Sequence, residues 1–159
     1  MKQPPGESLY EVALAEARKK HPEYPKVIAT LREATEKGNP DAAYALASWY
    51  LWGKKPHIKP DHKVAVRLLR TAVAAGNSDA MWDLAVCYDN GNGVRISEKK
   101  AFELYLRAAL RGDARSTMEL ARRYYWGSGT RQDRSVSRIW LERAKELGQT
   151  LKMLQARNK

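Results

Sequence analysis

The sequence predicts an all-α fold built from stacked helix-turn-helix repeats, and three observations carry that prediction. Glycines recur at Gly38, Gly76, Gly112 and Gly148, at intervals of 38, 36 and 36 residues. Apolar columns keep the same register: Leu46, Leu84 and Leu120, then Ala47, Ala85 and Ala121, then Tyr50, Tyr88 and Tyr124. Between the glycines, apolar residues fall at helical spacing behind cap residues. Several columns sharing one register signal a stacked array. One helix pair cannot bury its apolar face alone, so about three must stack for stability.

The elements follow in order. Residues 7–20 place Leu9, Val12, Ala13 and Ala17 at helical spacing, with Arg18, Lys19 and Lys20 in the last turn, where cations favour the negative end of the helix dipole. Pro22 and Pro25 then interrupt, because each restricts its preceding residue. Pro25 also suits the opening of a second helix, Lys26 to Lys37. Three helix pairs come next. Their first helices start after Gly38, Gly76 and Gly112, capped by Asn39 with Pro40, by Asn77 or Ser78, and by Asp113. They end near Gly53, Gly91 and Gly127. Their second helices start at Asp61, Ser97 and Asp133 and run to the next glycine of the main series, a residue suited to the left-handed position past a helix end. A closing helix is expected from about Thr150. The expected organisation is thus a capping helix and Pro-rich linker over 1–25, a repeat array over 26–148 and a C-terminal cap over 149–159.

Composition narrows the class. Apolar residues make up 43% of the 159, too many and too evenly spread for a disordered chain. The apolar runs fall far short of the ~20 residues of a membrane-spanning helix. MKQPPGESLY lacks the apolar centre of a secretory signal, and Cys87 is the single cysteine. Both features lead to the expectation of a cytoplasmic protein. Residues 98–159 hold 15 Lys/Arg against 7 Asp/Glu and so supply +8 of the net +11. A basic third of this kind suits nucleic acid, an anionic membrane surface or an acidic protein.

A helix pair of about 36 residues bearing Ala, Leu-Ala, Tyr, Gly and a late Ala-Gly resembles the Sel-1-like repeat, a relative of the tetratricopeptide repeat. The middle unit carries the match at Ala80, Leu84, Ala85, Tyr88, Gly91, Gly93, Val94, Ala101, Ala108 and Gly112. The resemblance implies a right-handed α-solenoid whose first helices line a concave groove that holds other proteins. The departures are GKKPHIKP in place of the Gly-x-Gly-Val turn, and Ser116 and Ser137 at columns that are otherwise Ala. These predict a longer loop in the first unit and looser packing in the third. A secreted branch of the family pairs two cysteines in each repeat, which this chain cannot do.

Residues displaced from the core stripe occupy another helix face, and by the resemblance that face lines the groove. The first unit contributes Tyr44, Ser48, Leu51 and Trp52. The second contributes Asp79, Trp82, Asp83, Val86 and Asp89. The third contributes Arg115, Met118, Arg122, Arg123, Tyr125 and Trp126. This lining passes from aromatic and neutral, through acidic, to basic and aromatic. Trp49 aligns with Cys87 and Arg123, a column of changing type, and Trp140 aligns with the core positions Leu68 and Leu104.

Catalytic chemistry finds no constellation. His21 lies in a Pro-bounded linker, while His57 and His62 flank a loop without nearby Cys or clustered carboxylates. Asp79 with Asp83, and Glu142 with Glu146, are four-residue pairs of the kind exposed helices carry, with no nucleophile beside them. Gly91-Asn92-Gly93 and Gly127-Ser128-Gly129 lack the Lys-Ser/Thr of a phosphate loop. Cys87 reads as a packing residue. The expectation is a monomeric, non-enzymatic module without cofactor or metal, binding another protein: an adaptor, a scaffold, or an inhibitor of the immunity type. The alternative is nucleic acid held by Arg115, Arg122, Arg123, Tyr125 and Trp126, since arginines beside stacking aromatics suit single strands.

Overall fold

The computed structural model describes the backbone of residues 7–157 and the side chains of 8–148. Eight helices and no strand appear among the described residues: α1 Glu7–Ala17, α2 Tyr24–Glu36, α3 Pro40–Trp52, α4 His62–Ala74, α5 Ser78–Asn90, α6 Glu98–Ala109, α7 Ala114–Trp126 and α8 Arg134–Arg157. The chain divides between Ala80 and Met81 into two compact units. The sequence expectations about residues 1–6 and about 158 and 159 fall outside the described residues.

In the first unit, α1, α2 and α3 close around Ala13, Val27, Leu31, Ala34, Ala42 and Leu46. Leu46 and Leu69 are at most 2% exposed, and burying each contributes roughly 2 kcal/mol. Asn39 caps α3 by accepting from the Ala42 N–H at 2.8 Å, and Asp61 caps α4 through the Lys63 and Val64 N–H groups. Pro25 stands in the first turn of α2, where its missing N–H is harmless. The long loop after Gly53 is ordered by a two-way backbone pairing of Lys54 with Ile58, both bonds 2.9 Å, which buries Ile58. Over it, Tyr24 packs edge-on to Trp49 and stacks near His57, and the Lys54 ammonium lies 4.5 Å from the Tyr24 ring centroid. The column of Trp49 therefore has an interior role.

The second unit buries Met81, Leu84, Ala85 and Cys87 of α5, Leu104 and Tyr105 of α6, and Leu120 and Ala121 of α7. Ser97, Asp113 and Asp133 cap α6, α7 and α8. The third pair is not loosely packed as expected: Ser116 is fully buried, and the Ser137 hydroxyl donates to the Ala121 carbonyl at 2.7 Å.

Two backbone bonds recur with the repeat. The carbonyls of Tyr50, Tyr88 and Tyr124 accept from the N–H of Asp61, Ser97 and Asp133, closing each pair. The carbonyls of Ala34, Ala72 and Ala108 accept from Asn39, Asn77 and Asp113 across a left-handed glycine, the Schellman arrangement. Gly148 departs from that series. The helix α8 runs through it to Arg157, so no separate closing helix forms at Thr150. The first three glycines are each followed by Asn or Asp, which caps the next helix, whereas Gly148 is followed by Gln149 and Thr150. Glycine permits a stop without imposing one.

Candidate functional site

The face of α7 organises the site. Ser116, Thr117, Leu120, Ala121 and Arg123 point inward and are buried. Arg115, Met118, Arg122, Tyr125 and Trp126 follow the outer face at spacings of three and four and are exposed. Trp126 is 66% exposed. Its indole packs edge-on against Tyr125 at 4.7 Å, and the Arg134 guanidinium lies 5.2 Å above the Tyr125 ring. Mutual packing of this kind holds two aromatic surfaces in fixed orientation at the helix end.

Beside this face lies a cleft of about 430 Å³, walled by Trp82, Val86 and Asp89 of α5, Tyr105 of α6, and Glu119 and Arg122 of α7. Trp82 meets Tyr105 edge-on at 5.0 Å, with the Arg115 guanidinium 5.1 Å from the indole centroid. The cleft floor is a charged network. Arg123, 3% exposed, donates from Nε to Glu119 Oε1 at 2.9 Å and from Nη2 to Asp89 Oδ2, while its guanidinium sits 4.8 Å over the Tyr105 ring. The Tyr105 hydroxyl donates to the same Asp89 oxygen at 3.1 Å. Burial, reinforced by the Asp89 charge, holds the Tyr105 hydroxyl well above the usual tyrosine range. Arg122 is clamped by Glu119 through two bonds, and Arg115 by Asp113.

The structure revises the lining read from sequence. Leu51 is 8% exposed and packs in the core of the first unit, so it presents no side chain to a partner. Arg123 is likewise buried, because its charge is consumed by Asp89 and Glu119. The charge gradient is blunted, since Asp89 and Arg122 both spend their charge on neighbours within the fold. In the first unit Tyr44 and Ser48 are half-buried, Asp79 is exposed, and Trp52 is 77% exposed. Asp83 is half-buried beside Cys87. Two contributors escaped the sequence reading. Glu119 was legible as the carboxylate three and four residues before Arg122 and Arg123, whereas nothing in the pattern marked Tyr105. Among the described residues no three His, Cys, Asp or Glu side chains gather as a metal site. No helix among them is long and apolar enough to cross a membrane.

Capped helix pairs repeated every 36 to 38 residues, with one helix of each pair presenting variable side chains, define a helical-repeat protein. The sequence pattern of the Sel1 repeat matches residues 40–77, 78–113 and 114–149, and the chain belongs to that family. Sel1 repeats generally mediate protein–protein interaction. No curated protein matches the sequence at a significant level. Among solved structures, a protective antigen of uropathogenic Escherichia coli with the same repeat fold superposes with a TM-score of 0.83 at 24% identity, over 91% of this chain and 31% of the antigen. A Sel1 repeat protein from Oxalobacter formigenes gives 0.79 at 25% identity, over 90% of this chain and 58% of its own. An immunity protein of Pseudomonas aeruginosa gives 0.62 at 18% identity, over 93% of this chain and 55% of its own. The chain thus spans about a third to a little over half of these proteins, and it shares their helical solenoid fold.

Proposed function

We propose that the chain is a non-enzymatic protein-binding module that grips its partner along the outer face of α7 and the adjoining cleft. The exposed stripe of Met118, Arg122, Tyr125 and Trp126 carries this reading. Aromatic residues and arginine dominate the energetics of protein interfaces, and a repeat scaffold supplies the rigid support they need. Trp82, Val86 and Arg115 extend the surface, and the exposed Trp52 is proposed as a separate contact of the first unit by itself. Adaptor, scaffold and toxin-neutralising inhibitor are the forms this module would take. The net +8 of residues 98–159 would speed encounter with an acidic partner.

Arginine pairing favours protein over nucleic acid. Arg115, Arg122 and Arg123 are each bonded to a carboxylate, which reduces what they offer to phosphates. A salt titration with single-stranded RNA and DNA separates the two readings, because phosphate binding falls steeply as salt rises.

The test is affinity capture with the tagged chain, followed by alanine substitution at Trp52, Trp82, Arg122 and Trp126. Trp126→Ala is expected to weaken a captured partner by at least about tenfold, the usual cost of an interface anchor. A partner that bound all four variants as it binds the wild type would show these to be the wrong contacts.

A further inference from the structure

A second cleft, of about 320 Å³, opens among α2, α3 and α4 of the first unit. Its floor is aliphatic: Leu46 from α3, with Val64 and Leu68 from α4. Arg32 of α2 and Arg67 of α4 stand at its rim, both exposed. Arg32 Nη2 donates to the Tyr50 hydroxyl at 3.0 Å. Neither arginine has a carboxylate partner among the described residues, and the Tyr50 hydroxyl proton has no acceptor there. The arginines beside the α7 cleft differ, since Arg115, Arg122 and Arg123 are each engaged by Asp or Glu. Around this cleft, three donors surround an apolar floor, and the Glu36 carboxylate at the rim pairs with neither arginine.

The lining also limits the charge of the ligand. Glu36 is the one carboxylate at the rim, so Arg32, Arg67 and Glu36 together leave a formal +1. That matches a single carboxylate better than a phosphate, which carries about two negative charges. Guanidinium groups match carboxylates in geometry as well as charge. The aliphatic floor calls for an apolar group beside that carboxylate. We infer that this cleft binds an Asp or Glu side chain, flanked by an aliphatic residue, on an extended segment of a partner protein. The inference goes beyond the α7 surface, because it assigns a separate site with its own ligand chemistry.

The experiment follows the Arg Nε–Hε signals of the ¹⁵N-labelled full chain by NMR. The probes are the blocked tripeptide acetyl-Leu-Asp-Leu-amide, its Asn analogue, and inorganic phosphate. The Asp peptide is expected to shift the Arg32 and Arg67 signals saturably. The Asn peptide should bind about tenfold more weakly, the worth of one charge-assisted hydrogen bond. Arg32→Gln and Arg67→Gln, both at exposed helix positions, should each weaken the Asp peptide by a similar factor. Trp126→Ala should leave it unchanged, which separates this site from the α7 surface. The proposal is overturned if the Asp peptide causes no saturable shift, if the Asn peptide binds equally, or if both Gln variants bind normally. Phosphate binding tighter than the peptide would also overturn it, by assigning the cleft to a different ligand.

Discussion

The guanidinium of Arg123 reaches the carboxylate of Asp89, 34 residues earlier, and so ties α7 of the third repeat to α5 of the second. Arg123 is 3% exposed, whereas the Asp89 side chain retains 24% exposure. A buried ion pair adds little over well-packed apolar residues, but removing one partner strands the other. Arg123→Met should therefore destabilise the chain by about 3 kcal/mol, leaving Asp89 without a counter-charge while Glu119 keeps Arg122. Asp89→Asn should cost less, because Glu119 still holds Arg123. Urea denaturation of both single variants and the double variant measures the coupling. Strictly additive losses would refute the pairing as a stabilising contact.

Alkaline pH should weaken the fold through Cys87 and Tyr105. Burial, helped by the Asp83 charge, pushes the Cys87 thiol up from 9.0 to about 11, and Tyr105 is also raised. Between the unfolded and folded values the native state keeps the proton while the unfolded state has lost it. Stability must then fall as pH rises. The contribution from Cys87 is complete below about pH 9 and fades toward pH 11. Native Cys87 should also resist a thiol reagent at pH 8 and react only on unfolding, because the thiolate is the nucleophile. A thermal melting point that did not move between pH 8 and 11, or rapid labelling of the native protein, would contradict this.

Legibility differed between backbone and side chains. The glycine, alanine and tyrosine columns disclosed the helix pairs because the same backbone bonds recur at Ala34, Ala72 and Ala108 and at Tyr50, Tyr88 and Tyr124. The outer face of α7 was equally readable, since helical spacing alone places Arg115, Met118, Arg122, Tyr125 and Trp126 together. The column of Trp49, Cys87 and Arg123 was opaque. Its residue types vary as surface positions do, yet Cys87 and Arg123 are buried and Trp49 packs on Tyr24. Each copy solves its interior differently, with stacking, with a thiol, or with an ion pair whose partner lies a repeat away. No periodic rule reports that choice. The run of α8 through Gly148 was hidden for a related reason: the stop depends on the residue that follows the glycine.

Gly129 allows a close backbone approach within the second unit. Its φ is +72°, and a Cβ built there would lie 2.2 Å from the Glu98 carbonyl oxygen. Backbone cannot retreat as a flexible side chain can, so Gly129→Ala should displace the loop before α8 and cost more than about 2 kcal/mol. Gly112 is the control. Its φ is +88°, but nothing lies within 4 Å of its added Cβ. Gly112→Ala should then cost only about 1 kcal/mol, the conformational penalty alone. Equal losses for the two variants would show that the approach to Glu98 is without energetic consequence.

Ser116 and Ser137 replace alanine at equivalent positions of the earlier repeats and should respond in opposite ways to its restoration. Ser116 aligns with Ala42 and Ala80 and is fully buried, and its Oγ finds no hydrogen-bond partner. A buried hydroxyl without a partner costs its desolvation and returns nothing. Ser116→Ala should therefore raise stability by about 1 kcal/mol. Ser137 aligns with Ala65 and Ala101, but its Oγ donates to the Ala121 carbonyl at 2.7 Å and so joins α8 to α7. Ser137→Ala should lower stability by about 1 kcal/mol, the net worth of one such bond. Denaturant midpoints at unchanged slope give both values. If Ser116→Ala proved destabilising, its hydroxyl would have to be engaged, and a water molecule bridging it to the backbone would be the arrangement to look for.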